Sequence, residues 1–184
     1  SETSKEYLEQ LPKEKLVLIC LEPDVFKPEN FDLTIHELFG KIITCLDRFT
    51  DSKYHKFFYW PGIIKPSISK PFTFKKRKLA TLISSGESIN NPTELYSRHL
   101  EIVNFFEKRK GDEFDFHNHD WNKKEYTTHH EAPLSMSGTK TTLEAYRFCF
   151  CIENIKNIPG YISEKILDCL NAGCVPIYWG APNI

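Results

Sequence analysis

The run RFCFCIE, residues 147 to 153, is apolar almost throughout. A strand with no polar face must be covered on both sides, which is the habit of parallel sheets layered between helices. The segment YISEKILDCLNAG follows Gly160 and puts Ile162, Ile166, Leu167 and Leu170 on one helical stripe, with Gly173 at the usual stop and the apolar run CVPIYW beyond it. Residues 147 to 178 are therefore predicted to form a strand-helix-strand unit. Units of this kind bind ligands at the carboxyl ends of their strands, where the helix N-termini point. Here that edge is the loop 153 to 160 and the turn after it, which gather Glu153, Asn154, Tyr161, Glu164 and Lys165.

The rest of the chain repeats the pattern. KLVLIC reads as a buried strand stopped by Glu22-Pro23, which leaves Glu22 at a strand's carboxyl end. A short helical pattern around Ile35 to Phe39, the run KIITC at 41 to 45 and the strand YHKFFYW at 54 to 60, closed by Pro61-Gly62, make up half of an alternating α/β layer. KPSISKPF, 65 to 72, has two prolines, two serines and no periodicity, and reads as a linker.

A second unit opens with the strand LATLISS, 79 to 85. The helix after it is predicted to start with Asn91 as N-cap, Pro92 in the first position and Glu94 in the first turn. Leu95, Leu100, Ile102, Val103 and Phe106 give it an apolar face, and Lys108, Arg109, Lys110 and Gly111 mark its end. FDF, 114 to 116, suggests a short strand, and 117 to 139 reads mostly as loop.

With 184 residues, 40% hydrophobic and 14% aromatic, the chain can bury a core, and disorder is excluded. Lys+Arg 24 against Asp+Glu 25 leaves no field of one sign, so nucleic acid is not an expected partner and any anion site must be local. No apolar run has the length of a membrane span, and Ser1 opens a polar segment without a signal-peptide core. None of the six cysteines is spaced C-x-x-C, and Cys149, Cys151, Cys169 and Cys174 fall in strand or helix stripes, so they read as buried free thiols. His117, His119, His129 and His130 lack the helical spacing of a familiar ligand set and read as solvated loop residues, a metal-binding module being the rival reading.

At the edge of the strand-helix-strand unit, free N–H groups and a helix dipole attract an anion, and Lys165 adds a full charge. Arg98 lies in the first turns of its own helix on the same predicted edge, so the two cations are expected to converge as a diphosphate clamp. A carboxylate such as Glu164 suits sugar hydroxyls, and the competing reading of Glu164 and Lys165 is an ordinary solvated helix pair.

These residues carry a resemblance. YRFCFCIENIKNIPGYISEKILDCLNAGCVPIYWGAPNI resembles the donor-binding signature of the glycosyltransferase family 10 α1,3/4-fucosyltransferases, with F-x-x-x-F-E-N, Y-[IV]-[ST]-E-K and V-P-[IV]-x-x-G as its core. LEPDVFKPENFDL, KLATLISS, NPTELYSRHLEIVNFF and FDFHNHDW resemble its upstream segments, so the likeness runs from Lys15 to Ile184. The resemblance implies an α/β, GT-B fold of two Rossmann-like domains, with residues 1–70 the acceptor side and linker and 71–184 the donor side, both incomplete in a central fragment. It implies transfer of L-fucose from GDP-β-L-fucose, with inversion, to a GlcNAc-containing glycan acceptor, α1,3-linked with Lewis-type products.

By motif, Arg98 and Lys165 resemble the family's diphosphate-binding cations, Asn154, Tyr161 and Glu164 its other donor contacts, and Glu22 its general base, which burial is expected to make more basic. Glu153 reads as structural, bonding backbone in its loop. The chain has no D-x-D motif, so no metal is obligatory and a divalent cation is left a stimulatory role. A bacterial-type cytoplasmic or peripheral membrane enzyme is the expectation, or a Golgi one if an anchor precedes Ser1. The rivals are a same-fold transferase for another sugar nucleotide and a noncatalytic nucleotide-sugar binder.

Overall fold

The computed structural model describes residues 2–58, 73–84, 89–118, 126–132 and 136–184. The expected linker at 65–72, the last two residues of the third strand and His119 lie outside the described residues. The chain divides into two compact units, Ser1–Tyr59 with Ile158–Ile162 and Asn183–Ile184, and Trp60–Asn157 with Ser163–Pro182.

In the first unit, α1 (Glu2–Glu9), β1 (Val17–Cys20), α2 (Leu33–His36), β2 (Lys41–Thr44) and β3 (Tyr54–Lys56) form a parallel sheet in the order β1-β2-β3 with short helices between. Cys20, Phe39 and Ile42 are its buried centre, packed by Leu8, Leu16, Leu18, Ile35 and Tyr54. Asp32 caps α2, its carboxylate accepting from Thr34 N at 2.9 Å. β1 departs from the fully buried strand expected of KLVLIC. It is an edge strand whose Val17 and Ile19 point outward and are exposed, so only alternate side chains reach the core.

The short segment Ile158–Ile162 closes this unit. Asp47 N donates to Pro159 O at 3.2 Å, and Gly160 N to Asn183 Oδ1 at 3.0 Å. Gly160 has φ +85°, and a Cβ there would stand 2.1 Å from the Cys45 carbonyl oxygen. Only glycine allows both that conformation and that approach.

The second unit is built from β4 (Lys78–Ile83), α3 (Tyr96–Arg109), β5 (Phe114–Asn118), β6 (His129–Glu131), α4 (Met136–Leu143), β7 (Tyr146–Ile152), α5 (Glu164–Asn171) and β8 (Val175–Trp179). Its five strands are parallel in the order β6-β5-β4-β7-β8. One face buries Ala80, Leu82, Phe114 and Phe116 with Val103 of α3, and Phe148 and Phe150 of β7 pack against them. The other buries Cys149 and Cys151 of β7 with Leu143, Cys169, Ala172 and Cys174. β7 thus turns rings to one side and thiols to the other, which explains why its sequence alternates in size and not in polarity.

Four local expectations change. Helix α3 begins at Tyr96, not after Asn91: the Asn91 side chain accepts from Thr93 N at 2.9 Å, and the segment instead pairs with the loop after β7 through Leu95 N to Asn154 O, 3.0 Å, and Lys156 N to Thr93 O, 2.9 Å. The left-handed residue at its far end is Lys110, not Gly111. Residues 129–131 are a strand and 136–139 the start of a helix where loop was expected, and that helix, 136–143, draws little from its Ser, Gly and Thr residues and is anchored by buried Leu143. α5 buries Cys169, whereas Leu170, expected on its apolar stripe, is exposed.

Replacing Gly160 by alanine is expected to lower the urea midpoint by an amount equivalent to ~2 kcal/mol or more, because left-handed strain and a backbone clash act together. The same replacement at Gly111, where a Cβ meets nothing closer than 3.8 Å, is expected to leave the midpoint nearly unchanged.

Candidate functional site

The second unit's carboxyl edge is held by polar groups drawn from α3, β4, β5, β7 and α5. Ser84, just past β4, shares a 2.7 Å hydrogen bond between its Oγ and His99 Nδ1, and its carbonyl accepts from Asn118 Nδ2. His99 is buried, and burial together with the nearby Lys165 charge pushes its pKa down to about 4, so the ring is neutral near pH 7.

Glu153 follows β7 and has no exposed surface. One of its oxygens accepts from Ser163 N at 2.8 Å, at the start of α5, and the other lies 3.9 Å from Lys165 Nζ. Burial raises its pKa, opposed by the Lys165 charge and the Ser163 bond. Glu153 is thus structural, bonded to backbone in its loop, in agreement with the sequence reading. Gly180 permits this packing, since a Cβ there would meet Glu153 Cγ at 2.3 Å.

Lys165 Nζ donates to Ile152 O at 2.8 Å and to Asn154 Oδ1 at 2.9 Å. An ammonium has three N–H groups, so one is left for a ligand. Lys165, Asn154 and Glu164 line one cavity of about 330 Å³ together with Ser84, Thr139 and Asp168. The side chain of Ser163 caps α5 by accepting from Lys165 N at 3.4 Å. A fixed cation, amide donors on Asn154 and an acceptor in Glu164 suit a ligand with phosphate and hydroxyl groups.

Arg98 is elsewhere. It pairs with Glu101, lies 6.0 Å over the Trp179 ring and lines a different cavity, of about 580 Å³, with Phe105, Ile177 and Trp179. The two cations expected to converge line separate cavities, because Arg98 enters α3 on the face toward β8.

Glu22 and Tyr161 both belong to the first unit, where Tyr161 Oη donates to Glu22 Oε2 at 3.1 Å. Glu22 is exposed within the chain. Tyr161 is buried and reaches it from the Ile158–Ile162 segment, a partnership that no local spacing shows.

His117, His129 and His130 lie on strands where a loop was expected. His117 is buried on β5 and bonds Tyr146 Oη at 3.1 Å, while His130 Nε2 lies 3.0 Å from Asp115, whose carboxylate also takes Lys78 Nζ at 2.8 Å. Sequence reasoning also missed His99 and Ser84. The signal for His99 was its place on the helix face of Tyr96 and Val103, both buried.

The two parallel-sheet α/β units are of the GT-B fold class. Solved structures of α1,3-fucosyltransferase share this fold: one with GDP-fucose has a TM-score of 0.52 at 19% identity over 90% of this chain, and one with GDP 0.53 at 18% over 92%. The chain spans 53% and 54% of those two structures, about half their length. It is also 43% identical over 42 residues to the alpha-(1,3)-fucosyltransferase FucT of Helicobacter pylori, a stretch that covers 23% of this chain and 9% of that protein. The chain belongs to glycosyltransferase family 10: the family model described as Glycosyltransferase family 10 (fucosyltransferase) C-term matches residues 73–184. No helix among the described residues is long and apolar enough to cross a membrane.

Neutral His99 makes stability depend on pH. Its folded pKa lies below the unfolded value of about 6.5, so its contribution is complete above that value and fades as pH falls toward 4. Between about pH 7 and pH 5 the loss is expected to reach ~2 kcal/mol, with His117, also depressed by burial, acting in the same direction. Urea titrations at both pH values are expected to show that drop, and His99→Gln to make it clearly shallower.

Proposed function

We propose that this chain carries the donor site and the base of an inverting fucosyltransferase, using GDP-β-L-fucose and a GlcNAc-containing glycan. The observation that carries the reading is the Lys165 ammonium, held by Ile152 O and Asn154 Oδ1 at the first turn of α5 and lining the 330 Å³ cavity. A cation fixed before the ligand arrives stabilises charge building on a departing diphosphate without reorganising. Glu164 and Asn154 supply the acceptor and donors that sugar hydroxyls need, and Arg98 is assigned to the nucleotide end beside the Trp179 ring. Residues 71–184 are assigned to the donor side and 1–70 to the acceptor side, with Ile158–Ile162 lending Tyr161 to the first unit.

Inversion needs a base opposite the leaving group to take the acceptor hydroxyl's proton as its oxygen attacks the anomeric carbon. We assign this to Glu22, oriented by the Tyr161 hydroxyl, with GDP leaving on the opposite face. The relatives' printed names favour α1,3 linkage, and Lewis-type glycans are the products this chemistry gives on lactosamine acceptors. A divalent cation is assigned at most a stimulatory part, since Lys165 already supplies a positive charge.

The test is GDP release from GDP-fucose with and without N-acetyllactosamine. Acceptor-dependent release is expected, and Glu22→Gln is expected to lower kcat by ~10²-fold or more while KM for the donor changes little. Donor binding without release, unchanged by Glu22→Gln, would make the protein a nucleotide-sugar binder. Absence of donor binding would overturn the assignment.

A further inference from the structure

Three of the six thiols form a cluster that the transfer reaction does not use. Cys149 and Cys151 stand two residues apart on β7 and so face the same side of the sheet, and Cys169 comes down on them from α5. Their sulfurs all lie within 4.8 Å of one another, and Cys151 Sγ is 3.1 Å from Cys169 Sγ. All three are buried, yet all three line the 330 Å³ cavity that Lys165, Asn154 and Glu164 also line. Cysteines used only as small hydrophobes gain nothing from converging on one point or from facing a cavity.

We propose that Cys149, Cys151 and Cys169 form a three-thiolate site for a thiophilic d10 cation, Zn(II) above all, with its remaining coordination position open to the cavity. A metal–sulfur distance of about 2.3 Å in a trigonal arrangement sets the sulfurs about 4 Å apart, which the present cluster meets with side-chain adjustments of well under the width of an atom. Charge also fits. A divalent ion cancels two of the three thiolate charges, and the site lies beside Lys165, whose carbonyl oxygen is 3.6 Å from Cys151 Sγ and which lines the same cavity. On binding, three metal–sulfur bonds form, the three S–H bonds break and their protons pass to solvent, and no electron moves. An ion there ties α5 to β7 directly beneath the first-turn residues Glu164 and Lys165.

The site is tested on the untagged chain, purified reduced, loaded with Zn(II) or Cd(II) and desalted. One ion per chain is expected, with a sulfur-to-cadmium charge-transfer band and a cadmium NMR signal typical of three sulfur ligands. Cys151→Ser and Cys169→Ser are each expected to weaken Zn(II) at least a hundredfold against a chelating dye, while Cys20→Ser with Cys45→Ser, both in the first unit, changes nothing. Should the serine variants fold poorly, the wild-type cadmium spectrum decides alone, since it reports the ligand set directly. Substoichiometric metal, a spectrum without sulfur ligation, or a Cys151–Cys169 disulfide formed in air in place of bound metal would overturn the proposal.

Discussion

A carboxylate with no exposed surface organises the carboxyl edge of the second unit's sheet. Glu153 can be buried because Lys165 stands 3.9 Å away and Ser163 N donates to it at 2.8 Å. Removing one partner of such a pair strands the other charge in a poorly solvated place, at a cost of about 3–5 kcal/mol. The same carboxylate fixes where α5 begins, through Ser163, and requires Gly180 at the end of β8, where any Cβ would collide with it. Lys165 in turn spends two of its donors on Ile152 and Asn154 and is left pointing its chemistry at one cavity. The cation that makes the buried carboxylate tolerable is therefore the one that lines the cavity, and this pairing fixes its position.

The two faces of β7 have different consequences. Phe150 meets edge-on the ring stack of Phe106 and Phe114, whose centroids are 4.2 Å apart, and Phe148 meets Phe74 edge-on, so the α3 side is aromatic. Cys149 and Cys151 are small, which leaves space under α5 that becomes the cavity. A strand that looks uniformly apolar thus separates an aromatic layer, bordered by the cavity that Arg98 lines, from a thiol layer bordered by the cavity that Lys165 lines.

How much of this could be read from the chain differs with the range of the interaction. The strand-helix-strand unit was legible because its apolar runs and Gly173 are local signals, and Gly173 does take φ +65°. Glu153 bonding its own loop was legible too, since Ser163 is only ten residues away. The start of α3 was not, because Asn91-Pro92 satisfies every local rule for a helix start and loses to pairing with residues 154–156, sixty residues distant. Tyr161 with Glu22 and the gathering of Cys169 onto β7 are likewise products of topology. Arg98 was read into the first turns of its helix, where it is, but not into the cavity it lines, because which side of α3 packs toward β8 is set by topology and not by local spacing.

Calorimetric titration of GDP into the wild type and into the double variant Lys165→Gln/Glu153→Gln tests the central claim most directly. The double variant removes both charges together, so no carboxylate is stranded and the edge can still fold. Loss of a charge-assisted hydrogen bond to the diphosphate, about 1.5–3 kcal/mol, predicts a drop in affinity of about 10- to 100-fold, with the urea midpoint held near the wild-type value. Equal affinity in a folded double variant would contradict the account, and would move the diphosphate away from Lys165.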